Sequence, residues 1–424
     1  MIRNKKYEKE KDAESKLNKI LEEVIGSNIL NPPITAKNDI IMDFDERCDK
    51  FNECVNSSID DIEKIGTNIN FETFIEKTAK IQKCIHDTLE HYLSGDIKSA
   101  YDTFDGVFSD ESINEHLHKI CVPLSKLSNE ENPLFRVRKT TQTITERDDI
   151  FHIPFSKRHL VNAQRYSVAG LPCLYLGTSL YVCWLEMGKP DFDKLYISSF
   201  RPKNDGSKIL NLASEFMILP TKEIDDPDKI SYVNREKASY LIFWPLIMAC
   251  NYIRQNPESS FIQEYIIPNI LMQWISRNTN SLIKGVAYFS TKMPNSRSST
   301  KSVNVVLPPQ VKYEQTIKFK YCPNLANLFE FTAPISWQVL KTLEYPDPFS
   351  KNLEKVGTIS HLKHAATTNR KIKKFDDDLV ELYPLTDFYK LEASIRELFE
   401  HQTVANHAID GNKIATEDQK ISDL

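Results

Sequence analysis

The sequence predicts an α+β chain in three parts: an all-helical domain over residues 1–130, a mixed α/β domain over 131–345 and a short helical C-terminal extension with a flexible tail over 346–424. Three observations predict it. Apolar residues recur at three- and four-residue spacing up to about residue 127, short β-type runs punctuated by Pro and Ser begin after Pro133, and the charge balance reverses at the same place. Residues 1–134 carry 17 Lys+Arg against 27 Asp+Glu, net −10, and the remainder 37 against 32, net +5. Arginine is more uneven still, with Arg3 and Arg47 before position 135 and twelve after it.

In chain order, Tyr7 to Ile25 places Leu17, Ile20, Leu21, Val24 and Ile25 on one helical face, and Gly26 is a stop signal. Asn31-Pro32-Pro33 breaks the pattern. Further helices are expected over Ile40–Ile65, Phe71–Leu93 and Ser112–Leu127, with turns at Gly66 and Gly95. Strands are expected at LFRVR (134–138), LYLG (174–177), LYISSF (195–200), KILNL (208–212), VAYFS (286–290) and VNVVLP (303–308). Between the fourth and fifth lie two helical stretches, Ser231–Arg254 and Ser260–Arg277, an order that argues for an α+β domain. An amphipathic stretch from Asp376 to Gln402 follows, then a tail from Ala408 that frays.

Composition excludes several function classes. Eleven glycines in 424 residues is about 2.6%, against a usual share near 7%, and no two are closer than seven residues. A dinucleotide fingerprint needs three glycines within six positions and a Walker A loop needs a Gly-Lys-Ser/Thr turn; both are absent, so side chains must hold any phosphate. No segment approaches the ~18 uncharged apolar residues of a membrane span, and Met1–Glu10 is charged. A cytoplasmic protein is expected. The eight cysteines lack disulfide or zinc spacing and read as buried free thiols, and no metal is expected. The pairs His86/His91 and His116/His118 read as helix-surface or satisfied residues. A net of +5 over the second part is too weak for nucleic acid.

Four residues of the mixed domain stand at strand ends or strand-to-helix turns, where chemistry gathers: Arg136 in the first strand, Arg165 before the loop into LYLG, Glu186 in the otherwise uncharged SLYVCWLEMG, and Ser290 at the end of GVAYFS. Their order, with Tyr175 eleven residues before Glu186, resembles the RES-domain family, named for its Arg, Glu and Ser. The matching pieces are LFR (134–136), QRYSVAGLPCLYLGTS (164–179), WLEM (184–187), EYIIPNILMQWI (264–275), GVAYFST (285–291) and NVVLP (304–308), together spanning roughly half the chain. Gln164-Arg165-Tyr166-Ser167 stands where the family has Gly-Arg-Trp-Asn, and Gly177 where it often has Ala.

The resemblance implies an ADP-ribosyltransferase-like fold that consumes NAD, and a bacterial toxin or phage-defence effector neutralised by a partner protein. It implies that Arg136 and Arg165 hold the pyrophosphate or ribose, Tyr166 accompanies Arg165, Tyr175 stacks on the nicotinamide, Glu186 is the catalytic carboxylate and Ser290 completes the pocket. Gly170, in the loop after Arg165, is expected to line it. The same residue types suit the chemistry physically. Breaking the nicotinamide–ribose bond develops positive charge that a carboxylate stabilises, an aromatic face suits the cationic nicotinamide ring, and two arginines neutralise a pyrophosphate.

Alternatives stand beside these readings. Arg138 shares a strand face with Arg136 and stands as the alternative binding arginine. Tyr175 alone reads as a core tyrosine and Ser290 as an ordinary strand-end residue. Arg396 and His401 have the Arg-x4-His spacing of some helical ribonucleases, but Glu397 replaces their usual polar residue. His361 and His364 lack further metal partners nearby. In function, an NAD glycohydrolase or NAD phosphorylase leads, against an ADP-ribosyltransferase acting on a protein or a non-catalytic NAD or ADP-ribose sensor. The helical domain is expected to regulate, to engage an antitoxin or trigger, or to form a homo-oligomer.

Overall fold

The computed structural model of the protein describes residues 2–37, 39–59, 69–203, 206–213, 226–256, 258–277, 282–292, 300–342 and 383–403. The chain begins with helices α1 (Ile2–Gly26), α2 (Ile40–Ile59), α3 (Phe71–Leu93), α4 (Ile97–Phe108) and α5 (Glu111–Lys119). There follow β1 (Cys121–Pro123), the single turn α6 (Leu124–Leu127), β2 (Leu134–Lys139), β3 (Leu174–Gly177), α7 (Leu180–Glu186), β4 (Leu195–Pro202) and β5 (Lys208–Asn211). Next come α8 (Pro227–Ile242), α9 (Trp244–Cys250), α10 (Ile266–Arg277), β6 (Ile283–Phe289) and β7 (Val303–Leu307). The described chain closes with α11 (Tyr313–Lys318), α12 (Pro323–Leu328), β8 (Phe329–Phe331), β9 (Ile335–Ser336), α13 (Trp337–Thr342) and α14 (Asp387–Leu398).

Local chemistry explains the boundaries. Asn70, Asp96 and Asp110 each accept a backbone N–H of the first turn of α3, α4 and α5, satisfying donors that the helix cannot. Gly95, at φ +87°, makes the left-handed turn between α3 and α4. The helix expected over Ser112–Leu127 ends instead at Lys119: Cys121 and Val122 enter a strand, and Pro123 lacks the N–H to continue a helix. The stretch Ser231–Arg254 is two helices, because Pro245 interrupts the hydrogen-bond ladder and opens α9. Helix α4 has no counterpart in the sequence expectations.

The elements sort into two compact units that interleave along the chain. The first comprises Met1–Val122, Ala163–Val168 and Lys208–Thr291. In it α8 runs against α1, and α3 packs on α4, α8, α9 and α10, so helices of the middle of the chain complete the N-terminal bundle. Phe104 and Phe108 stack at 4.0 Å and Trp244 stacks on Phe51. Each buried phenylalanine of this kind contributes about 1.5–3 kcal/mol. Strands β5 and β6 are parallel, with β1 beyond β5.

The second unit comprises Pro123–Asn162, Ala169–Ser207 and Lys292–Leu424. Its strands form an antiparallel ladder in the order β7-β3-β2-β4-β8, with β9 also on β4. Phe135, Leu195 and Ile197 from one face of the ladder pack with Leu180 of α7, Trp337 and Leu340 of α13, and Leu391 and Ile395 of α14. The chain is thus mixed α/β, with helices first and strands of both senses after. Among the described residues no helix is long and apolar enough to cross a membrane.

Candidate functional site

The second unit brings Arg136, Tyr175 and Glu186 to one junction. Strand β2 pairs β4 over six residues, from Leu134↔Phe200 to Lys139↔Leu195, but shares with β3 the one registered pair Phe135↔Gly177. Beyond that pair the link is a side chain: Arg136 Nη1 donates to the Tyr175 carbonyl at 2.8 Å. Arg136 is half-buried, and its Nε is buried with no partner among the described residues. Burial, with the charge of Arg138 added, pushes its guanidinium down to about 10. The two strand arginines therefore differ, since Arg138 donates Nη1 to the Asp149 carbonyl.

Register fixes the faces. Phe135, Gly177 and Asn304 stand opposite one another across β2, β3 and β7, so their side-chain positions share the face that carries α7. Glu186 ends α7 and accepts from Asn304 Nδ2 at 2.7 Å. Tyr175, two residues before Gly177, is half-buried on that face, while Arg136 belongs to the other side of β2. Carboxylate and guanidinium thus flank the junction from its two sides. Between them Cys183 donates Sγ–H to the Phe135 carbonyl at 3.3 Å; burial pushes this thiol up to about 12, and the charges of Glu392, Arg136 and Glu186 all act on it.

Helix α7 is seated by small groups. Ser179 caps it, accepting from the Val182 N–H at 3.0 Å and donating to the Lys301 carbonyl at 2.6 Å. Gly177 lets it lie close to β3, because a Cβ there would meet Cys183 Sγ and Val182 Cγ1 at 2.6 Å. Gly177→Ala is expected to cost about 1–3 kcal/mol by overpacking and to shift α7; an unchanged denaturant midpoint would refute this close approach. Gly170 serves its loop differently. At φ +84° its N–H donates to the Val161 carbonyl at 3.0 Å, and nothing lies within 4 Å of its missing Cβ, so backbone conformation and not space requires glycine.

One group of this unit escaped the sequence reading. Glu392 of α14, 6% exposed, accepts from the Leu180 N–H at 2.7 Å and from the Tyr383 hydroxyl, tying α14 to the start of α7. Burial pushes its carboxyl up to about 7, with Lys301 and the two hydrogen bonds opposing. A carboxyl raised in the folded state stabilises fully below its unfolded value near 4.5 and loses that contribution as pH rises through 7. Glu392→Gln keeps the acceptor oxygen and removes the charge. The stability difference between the variant and the parent is therefore expected to grow by about 2–3 kcal/mol from pH 4.5 to above 7; parallel pH profiles in chemical denaturation would contradict it. Its amphipathic helix was legible, but the burial of one acidic position on it was not.

Arg165, Tyr166 and Ser290 belong to the first unit. Arg165, 7% exposed, donates Nη1 to the carbonyls of Cys250 (3.2 Å) and Tyr252 (2.7 Å) and Nη2 to Thr291 Oγ1 (3.0 Å), and lies over the Tyr265 ring at 5.0 Å. Tyr166 is fully buried, its ring 4.5 Å from that of Tyr288. Ser290, just past β6, is also fully buried.

Arg396 donates to the Glu131 carbonyl, and His401 Nε2 lies 3.0 Å from Ser199 Oγ with burial pushing the imidazole down to about 4, so the two are engaged separately. His86, Asp87 and Glu90 on α3 lie close enough for one cation, although exposed acidic groups commonly sit so without one. His361 and His364 lie outside the described residues.

No protein-family model matches the chain, and no solved structure matches it. The chain is 30% identical over 298 residues to a Bacillus subtilis (strain 168) protein named "Putative toxin YopC". The aligned region covers 67% of this chain and spans 64% of that relative's length.

Proposed function

We propose that the protein consumes NAD by cleaving the nicotinamide–ribose bond on an ADP-ribosyltransferase-like scaffold of the RES type, as an NAD glycohydrolase or phosphorylase. The observation that carries the reading is Arg136, a half-buried cation with an unpartnered Nε and no carboxylate partner among the described residues, at a strand junction whose other side carries the Glu186 helix end. A buried guanidinium of this kind suits an anion, and a pyrophosphate matches its fork. A dinucleotide seated where β2 and β3 share a single pair would present its phosphates to Arg136 and its nicotinamide riboside to Tyr175 and Glu186.

Each residue then has a task. The C1′–N bond breaks and its electron pair leaves with the nicotinamide nitrogen. The Glu186 carboxylate, oriented by the Asn304 amide, stabilises the oxocarbenium charge left on the ribose. The Tyr175 ring offers its face to the cationic nicotinamide before it departs. Water attacking C1′ yields ADP-ribose and a proton, and phosphate attacking there yields the ADP-ribose 1-phosphate ester.

The name of the Bacillus relative supports a toxin role, for which loss of cellular NAD is a sufficient cause. Such a protein needs control, and we assign the helical unit to that task, as the surface engaged by an antitoxin or trigger or by a second copy. The test is to mix the full chain with NAD and follow free nicotinamide with and without phosphate. Release without phosphate marks a glycohydrolase, release that requires phosphate a phosphorylase, and ADP-ribose found on protein a transferase. No release in any condition overturns the enzyme and leaves an NAD sensor.

A further inference from the structure

The helical unit contains a basic pocket. A cavity of about 210 Å³ is lined by Asn70, Thr73 and Lys77 at the start of α3, His116 and Lys119 at the end of α5, and Arg235 of α8, over a floor that includes Phe74. It is smaller than the roughly 300–1,000 Å³ of pockets for drug-sized ligands. We infer that this pocket binds a small phosphorylated anion, a site separate from the junction that carries Glu186.

The hydrogen bonds fix how the pocket is charged. Lys77 Nζ lies 2.8 Å from His116 Nε2, so the ammonium donates there and the ring proton sits on Nδ1. Nδ1 in turn lies 2.8 Å from Ser239 Oγ, whose proton goes to the Arg235 carbonyl at 2.7 Å. The imidazole is thus held neutral. Burial, then the charges of Lys77 and Lys119, push it down to about 4, with Glu115 opposing. Lys119 is paired with Glu115 at 2.6 Å, while Arg235 spends Nε and Nη2 on Ser231 and keeps Nη1 for a ligand. Lys77 keeps two ammonium protons. The first turn of α3 borders the cavity as well, its Thr73 N–H taken by the Asn70 cap and its positive end offset in part by Glu72. Two cationic groups that each keep donors to spare, with polar Asn70 and Thr73, converge on a small cavity and match the oxygens of one phosphate.

The experiment titrates the full chain at low ionic strength with inorganic phosphate and, separately, with ribose 5-phosphate, by calorimetry and by NMR of the His116 ring. Saturable binding of either is expected, the first marking a site for the free ion and tighter binding of the second a site for a phosphate ester. Lys77→Gln and Arg235→Gln should each weaken it roughly tenfold or more with unchanged melting, and Glu186→Gln should leave it unaltered. The anion should raise the His116 titration midpoint by roughly 1–3 pH units. No binding at millimolar concentrations overturns the inference, as does binding that survives both substitutions, leaves His116 unmoved or disappears in Glu186→Gln.

Discussion

Glu186→Gln is expected to lower nicotinamide release by roughly 10²–10³-fold or more while leaving melting and NAD binding close to those of the parent. The amide has the shape of the carboxylate and can still accept from Asn304 Nδ2 through its oxygen, so α7 keeps its seat. What it loses is the negative charge that the oxocarbenium requires. The effect belongs in kcat, because the positive charge develops only as the C1′–N bond breaks. A variant that turns over NAD at the parental rate would remove Glu186 from the chemistry. A variant that loses activity together with stability would make it a structural residue.

Arg47→Met is expected to destabilise the helical unit by about 3–5 kcal/mol. Arg47 and Asp43 are both nearly inaccessible in α2 and form a double hydrogen bond, Nε to Oδ2 at 2.5 Å and Nη2 to Oδ1 at 3.1 Å. Burial alone would raise the Asp43 carboxyl, but the bonds from Arg47, from the Tyr252 hydroxyl at 2.9 Å and from the Lys37 N–H at 3.1 Å outweigh it and hold it low. Arg47 also donates to the carbonyls of Ile29 and Thr35, fixing the segment between α1 and α2. Removing it leaves a buried carboxylate and several orphaned acceptors. Because the carboxyl is lowered, the pair stabilises at neutral pH and fades as pH falls below the ordinary value of 3.8. Denaturant unfolding at pH 7 measures the loss, and Asp43→Leu added to Arg47→Met should recover part of it. A midpoint unmoved by Arg47→Met would show that the pair contributes nothing net.

The strands LFRVR, LYLG and VNVVLP were legible because a buried strand is a short β-branched or apolar run bounded by turns, a signal local to six residues. Helix α3 was legible to the residue from its apolar spacing. Helix α4 was not, since its buried face rests on three residues, Ala100, Phe104 and Phe108, spread among polar ones. The candidate site was legible as an order of residue types. Sequence could not tell Arg136 from Arg138, because both face one side of β2; the Asp149 carbonyl that engages Arg138 comes from a turn eleven residues away.

By itself the sequence determined the helical start, the mixed remainder and the exclusion of glycine-cradled phosphate sites, because periodicity, Pro and Gly act through the local backbone. Tertiary structure alone decided that α8, α9 and α10 complete the N-terminal bundle, that Glu392 is a buried carboxyl at the start of α7, and that Gly177 admits no Cβ. It also decided that Lys77, His116 and Arg235, far apart in the chain, line one cavity. Burial and proximity are properties of packed surfaces, and no local pattern of residues encodes which surface a side chain will meet.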